Sequence, residues 1–441
     1  MIRKDVTMPK KTVIIRPKKL SGEISIPPSK SMSHRAIIAA ALSQGTSRVS
    51  NVILSDDIIA TINAMKNFGV DIQIQDESNL RKTILIKGNN RLLYSDNDID
   101  CNESGSTLRF LIPFAGLINK KVRYTGKGKL VQRPLDVYYE IFGKQNISYA
   151  TTDNKLPLTV SGRLKAGKFE LRGDVSSQFI TGLMFVLPLL EEDSKIIITT
   201  PLESIGYVDM TIDTLKAFGI SIENKDNKEF FIKGNQTYKA RDYKVEGDFS
   251  QAAFWVVAGA IGGRIVCKDI NLESLQADKK IIEIAKSMGA DIKKIADDKV
   301  EIKPGQLKSL TIDASQIPDI IPVISTMASV SMGQTKIINA SRLRIKESDR
   351  IKSTVSELAK LGADIVEVED SIIINGKREL QGGKLSSWND HRIAMAMAIA
   401  SIRCQFEVEI LGAEAVSKSY PHFWEDFKEL GADINECDLG K

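Results

Sequence analysis

A glycine that stops a helix and passes the chain into a short strand recurs along this sequence, at a spacing of roughly 70–75 residues. The clearest copies are Leu215-Lys216-Ala217-Phe218-Gly219-Ile220-Ser221-Ile222, Ala285-Lys286-Ser287-Met288-Gly289-Ala290-Asp291-Ile292, Leu358-Ala359-Lys360-Leu361-Gly362-Ala363-Asp364-Ile365 and Phe427-Lys428-Glu429-Leu430-Gly431-Ala432-Asp433-Ile434. An earlier copy turns at Gly69, and a weaker one, Tyr139-Glu140-Ile141-Phe142-Gly143, fills the remaining slot. Glycine suits that place because the stop needs a left-handed backbone, which residues with a Cβ resist. Ahead of each stop lie a strand, an apolar helix and a second strand. Behind it lies a two-stranded ribbon with closers such as Lys82–Gly88, Phe230–Gly234, Val300–Gly305 and Ile372–Gly376. The unit is βαβαββ, and six of them account for the chain.

The sixth unit has no closing strand before the chain ends at Lys441, whereas an orphan strand, Thr12–Arg16, precedes the first. The N-terminal segment is therefore expected to pair into the C-terminal half. Six units then divide into two three-unit domains of mixed α/β (α+β) class. One is discontinuous, residues 1–27 with 245–441, and the other is continuous, residues 28–244. The chain crosses between them near Pro27 and Val245, with no low-complexity linker.

Charge and cysteine usage narrow the function classes. The net charge of +5 comes from 61 basic against 56 acidic residues. That excess is too small for a nucleic-acid binder but suits small anionic substrates if the cations cluster. Cys101, Cys267, Cys404 and Cys437 lack metal-ligand spacing, and His34, His391 and His422 are scattered, so no metal is expected. Met1–Lys11 has no apolar core of the signal-peptide kind, and the longest apolar runs, near Ile180–Leu190 and Ile393–Ile402, are too short to span a bilayer. A cytoplasmic protein without membrane contact is the expectation.

Polar clusters gather where the apolar helices start. Pro27-Pro28-Ser29-Lys30-Ser31-Met32-Ser33-His34-Arg35 places two cations at a helix N-terminus, with Ser29 or Ser31 available as the cap. Basic residues oppose the helix dipole there, unless an anion sits between them and the free N–H groups. Equivalent stretches are Glu103-Ser104-Gly105-Ser106-Thr107-Leu108-Arg109, Asp174-Val175-Ser176-Ser177-Gln178, Gly247–Gln251, Ile317-Pro318-Asp319 and Asn389-Asp390-His391-Arg392. Three second helices also open on loaded stretches, at Gln132-Arg133-Pro134, Leu343–Arg350 and Ser417–Pro421. Taken singly, several have plain explanations: Ser176 as a cap, or Asp319 as a first-turn acid. Lys346 and Arg350 would be like charges one turn apart if helical, a cost that a bridging anion would relieve.

In their order and spacing, Pro28-Ser29-Lys30-Ser31 with Arg35, Gly105 to Arg109, Gln132-Arg133-Pro134, Lys346-Glu347-Ser348-Asp349-Arg350, Asp390-His391-Arg392 and Lys418 make the chain resemble the 5-enolpyruvylshikimate-3-phosphate synthases. The resemblance covers nearly the whole chain. It implies two globules of three βαβαββ units each, an inside-out α/β barrel. It also implies transfer of the enolpyruvyl group of phosphoenolpyruvate to the 5-hydroxyl of shikimate 3-phosphate, by a monomer without cofactor that closes around its small-molecule substrates. By motif, Lys30, Ser31, Arg35, Ser176, Ser177, Gln178, Ser204, Tyr207, Asp319 and Lys346 would hold shikimate 3-phosphate. Lys30, Gly105, Arg133, Gln178, Arg350, Arg392 and Lys418 would hold phosphoenolpyruvate. Asp319 and Glu347 would handle protons, with Lys30 beside them as a catalytic cation.

Two positions depart from the family pattern: Glu103 stands where Asn is frequent, and Arg342 replaces an Asn found in some members. A related family acts on UDP-N-acetylglucosamine and usually carries a reactive cysteine in the loop equivalent to Tyr124–Arg133. Here that loop has lysines and no cysteine. A non-catalytic repeat protein binding nucleic acid is disfavoured, because no aromatic residues interleave the basic clusters.

Overall fold

The computed structural model describes residues 10–77, 80–89, 92–118 and 120–439. Residues 1–9 of the segment read as lacking a signal sequence lie outside them. The strands form six four-stranded sheets of one plan, in which the opening strand pairs parallel with the second and the closing strand lies between the second and third. The sheet of Thr311–Asp313, Gln334–Ile338, Asp364–Val368 and Ser371–Asn375 shows it plainly: the first two are parallel, and Ser371–Asn375 is antiparallel to both of its neighbours.

The sixth sheet takes its closing strand from the other end of the chain. Lys10–Arg16 lies antiparallel between Val408–Leu411 and Asp433–Leu439, with Ile15 opposite Val408 and Ile434. A second exchange was not read from the sequence. The strand that opens the first repeat, Gly22–Ser25, pairs parallel with Ile265–Lys268 of the fourth repeat. Asp242–Lys244, ahead of the fourth repeat, pairs parallel with Gly45–Val52 of the first. The chain separates into two compact units: Met1–Ile26 with Phe249–Leu272 and Asp278–Lys441, and Pro27–Asp248 with Glu273–Ala277.

Within each unit the first helices of the repeats form the interior. Phe249–Ile261 is buried along its entire length, as are Ile321–Ser329 and His391–Ala400. Lys30–Ala41 is buried from Met32 onward, and Ser177–Val186 is buried except at Gln178. Helices that are apolar all round need cover on every side. The second helices are amphipathic, and outer strands such as Asp71–Asp76 expose most of their residues. No helix among the described residues is long and apolar enough to cross a membrane.

The glycine stops hold in five repeats, with φ between +82° and +111° at Gly69, Gly219, Gly289, Gly362 and Gly431. The second repeat differs. Gly143 lies inside the helix Asp136–Gln145, and Asn146, at φ +55°, provides the left-handed end. Asparagine tolerates that conformation because its short amide bonds locally. The two glycines should respond oppositely to a methyl group. A Cβ at Gly143 meets nothing within 4 Å, whereas one at Gly289 would press into the carbonyl of Gln306 at a φ that alanine resists. Gly143→Ala is expected to stabilise by about 0.5–1 kcal/mol and Gly289→Ala to destabilise by more than that. Thermal unfolding midpoints of the two variants against the parent check the signs.

Candidate active site

The continuous unit gathers one set of residues at three helix starts. Ser29, Ser104 and Ser176 cap the helices Lys30–Ala41, Gly105–Leu111 and Ser177–Val186, and none of these helices has an acid in its first turn. Serine caps add no charge at the positive dipole ends, a setting that favours anions, although at the first helix the Asp248 carboxylate already accepts from the Lys30 N–H at 2.9 Å. Ser29 is therefore the cap of the first helix, and Ser31 stands free of that task inside the first turn, partly exposed.

A chain of contacts joins the three starts. The Lys30 ammonium donates to Asp57 Oδ2 at 2.7 Å. Thr107 donates to Ser104 Oγ at 2.8 Å, and its hydroxyl lies 2.7 Å from that of Thr61, which also meets His34 Nδ1 at 2.7 Å. Burial, with Lys30 and Arg35 adding to it, pushes the His34 pKa well below its usual range, so this histidine is a neutral core residue. The Gln178 amide is fixed at both ends, accepting from Arg109 at 2.9 Å and donating to Ser106 Oγ at 3.0 Å. The Arg133 guanidinium lies directly over Gly105, where any Cβ would collide with it. Lys30, Gly105, Arg133 and Gln178 thus belong to one network.

Arg35 is placed differently from the other cations. It is 1% exposed, donates to the carbonyls of Ser31 (2.7 Å) and Tyr207 (2.9 Å) and to Thr211 Oγ1 (2.8 Å), and lies over the Phe110 ring. Burial lowers its pKa to about 10, which still leaves it charged at neutral pH. It ties the start of the first helix to the start of Ile205–Ala217. Ser204, which precedes that helix, is buried with φ +56°, strained for a serine.

The discontinuous unit gathers the second set around Arg350, which is 1% exposed. Its guanidinium donates to Asp319 Oδ1 (2.8 Å), Glu347 Oε2 (2.7 Å) and both oxygens of Asp390 (2.9 and 3.2 Å). Burial works against the charge, but Asp390, Glu347 and Asp319 outweigh it, and the pKa rises above the ordinary arginine value. Lys346 also donates to Asp319 Oδ1, at 3.1 Å, and burial pushes its pKa down. Asp390 caps the helix His391–Ala400 by accepting from the Arg392 N–H, and the Arg392 side chain donates to the Ser250 carbonyl at 2.9 Å. Lys418 donates to the Asn389 carbonyl at 2.7 Å. Asp319, Lys346, Glu347, Arg350, Arg392 and Lys418 are thereby linked through Arg350 and residues 389–390.

Three sequence readings change. Lys346 and Arg350 do not share a helix, since Asp349 caps Arg350–Lys360 and Lys346 precedes it in extended backbone. Their bridging anion is Asp319 itself. Asp319 is not a first-turn acid either, because the helix begins only at Ile321. The cations read as bare charge are largely compensated, Lys30 by Asp57 and Arg350 by three carboxylates, so a tally of cations overstates the positive potential of each face.

Sequence reasoning missed Asp57, which with Asp56 lies in the first turn of Asp56–Asn67, and gave no task to Arg109. Of the two departures, Glu103 turns its carboxyl onto Gly128, where an added Cβ would lie 2.7 Å from Oε2. Arg342 is buried near enough to Lys346 to lower its pKa. Among the described residues no group of three or more His, Cys, Asp or Glu is arranged to hold a metal ion.

Residues 14–427 match the family described as EPSP synthase (3-phosphoshikimate 1-carboxyvinyltransferase). A 3-phosphoshikimate 1-carboxyvinyltransferase of Clostridium novyi (strain NT) is 56% identical over 431 residues, covering 97% of this chain and 99% of that protein. One from Clostridioides difficile (strain 630) is 53% identical, covering 97% and 99%. Among solved structures, an EPSP synthase from Acinetobacter baumannii superposes with a TM-score of 0.81 at 27% identity, covering 97% of this chain and 100% of that one. A full-length sequence match, the six-sheet architecture and the clustered motif residues agree: the chain belongs to the EPSP synthase family.

Proposed function

We propose that the chain transfers the enolpyruvyl group of phosphoenolpyruvate to the 5-hydroxyl of shikimate 3-phosphate and releases phosphate. The observation that carries this reading is the full-length match to relatives named for that activity. In the proposal, Lys30, Gly105, Arg133, Gln178, Arg350, Arg392 and Lys418 take the phosphate and carboxylate of phosphoenolpyruvate. Ser31, Ser176, Ser177, Gln178, Ser204, Tyr207 and Lys346 take shikimate 3-phosphate, together with Asp319. Arg35 orients Ser31 and Tyr207 from behind and lends its charge. The chain acts as a monomer in the cytoplasm on small anions, and its small charge excess supports small anions over nucleic acid.

The reaction needs an acid and a base. The methylene carbon of the enol must gain a proton before the neighbouring carbon is attacked, and the incoming hydroxyl must lose one. The tetrahedral intermediate then expels phosphate and gives up a methyl proton, and both steps are eased by cations on the leaving group. Glu347 and Asp319 fit the two proton tasks because both rest on one guanidinium. While Arg350 serves them they stay ionised. When the anionic groups of phosphoenolpyruvate engage Arg350, the carboxylates lose part of that stabilisation and their proton affinity rises. Glu347 thereby becomes the acid as substrate arrives.

Phosphate release is expected with phosphoenolpyruvate and shikimate 3-phosphate, and none with UDP-N-acetylglucosamine as acceptor. Turnover with the UDP-sugar alone overturns the assignment. Glu347→Gln and Asp319→Asn should each lower kcat by about 10²–10⁴-fold while changing substrate affinity far less. Parental turnover in either variant would reduce that residue to a partner of Arg350.

A further inference from the structure

The Glu357 carboxylate takes no part in the chemistry above, yet it is buried with a side-chain exposure of 0%. It lies on Arg350–Lys360, two helical turns beyond Arg350. Lys360 donates to both of its oxygens at 2.9 Å, the Ser386 N–H to Oε2 at 3.0 Å, and the Trp388 indole N–H to Oε1 at 2.7 Å. Lys360 already balances the charge, and the Ser386 N–H ties the helix to the strand Gly383–Ser386. The Trp388 contact is the one that reaches past the strand end into the turn that follows.

That turn is strained. Trp388 and Asn389 are consecutive non-glycine residues in the left-handed region, with φ +55° and +53°. Asparagine tolerates that conformation, but a tryptophan holds it only where its surroundings fix it. Trp388 N–H donates to Ser386 Oγ and Asn389 N–H to Ser387 Oγ, each at 3.1 Å. Two of its acceptors reach cations directly. The Asn389 carbonyl accepts from Lys418, and Asp390 accepts from the Arg350 guanidinium and from the Arg392 N–H.

We propose that Glu357 and Trp388 form a clamp that positions Arg350, Arg392 and Lys418 by holding this left-handed turn, and so determines affinity for phosphoenolpyruvate. The proposal rests on the functional reading above, which gives those three cations to that substrate. Neither clamp residue touches the reacting atoms in this scheme. Both are positioning residues. With the indole bond removed, the turn relaxes toward ordinary backbone angles, and the carbonyl of residue 389 and the carboxylate of Asp390 move with it.

Trp388→Phe tests the clamp most cleanly, since it keeps an aromatic ring and deletes the N–H. Steady-state kinetics with each substrate varied in turn should show KM for phosphoenolpyruvate rising on the order of tenfold, the scale of one charge-assisted hydrogen bond. KM for shikimate 3-phosphate should rise by much less, because of the groups proposed to hold it only Asp319 bonds directly to one of these three cations, Arg350. Glu357→Gln should act in the same direction. Combined with Trp388→Phe it should add little, since the two act through one contact. An equal rise in both KM values, no rise in either, or fully additive effects would overturn the clamp and leave a plain tie between helix and strand. Absence of turnover in the parent enzyme would overturn the functional reading itself, and the consequence drawn here for phosphoenolpyruvate with it.

Discussion

The Arg350 guanidinium is the contact on which the discontinuous unit's cluster depends. A charge this deeply buried costs several kcal/mol unless it is paired with good geometry, and removing one partner of such a group typically costs about 3–5 kcal/mol. Here one guanidinium engages three carboxylates from three places in the chain: Asp319 before one helix, Glu347 before another, and Asp390 at the cap of a third. The pairing that makes a buried arginine tolerable also fixes where the two proposed proton-handling groups stand.

The repeat explains how such a cluster arises. Each sheet follows the same strand order, so each enclosed helix begins at the same place in its unit. Ser29, Ser104 and Ser176 are thus equivalent caps, and Asp390 occupies that position in the last repeat. A serine cap adds no charge at the dipole end, and at the first helix Asp248 supplies one from outside the helix, whereas Asp390 brings its own and spends its remaining capacity on Arg350 and Ser348. One architectural position therefore supplies both the anion-seeking helix starts and the carboxylate that anchors the main cation. The two strand exchanges, Lys10–Arg16 and the pair Gly22–Ser25 with Asp242–Lys244, complete sheets that would otherwise lack a strand.

The sequence made the repeat readable because a left-handed helix end is written as glycine in five of its six copies. The sixth was opaque, since Asn146 meets the same need and asparagine is common in many other settings. The N-terminal strand could be assigned by counting strands. The exchange of Gly22–Ser25 with Asp242–Lys244 could not, because a parallel opening strand looks the same whichever sheet receives it. Site residues at helix starts stood out as cations in unfavourable places. Their carboxylate partners did not: Asp57 passes for a routine first-turn acid, and Glu357 for half of an exposed pair with Lys360 three residues on. Burial, which distinguishes them, is a tertiary property that one helix face does not reveal.

The central claim is that Arg350 exchanges its carboxylates for substrate, so that Glu347 takes up a proton as phosphoenolpyruvate binds. Calorimetric titration of phosphoenolpyruvate into the enzyme with shikimate 3-phosphate already bound, repeated in buffers of different ionisation enthalpy, counts protons directly. Glu347→Gln and Asp319→Asn remove turnover interference and separate the two carboxylates. The account predicts uptake of about one proton, retained in Asp319→Asn and lost in Glu347→Gln, because a group whose pKa rises on binding must draw protons from solution. Binding without proton uptake, or uptake that survives Glu347→Gln, would contradict it.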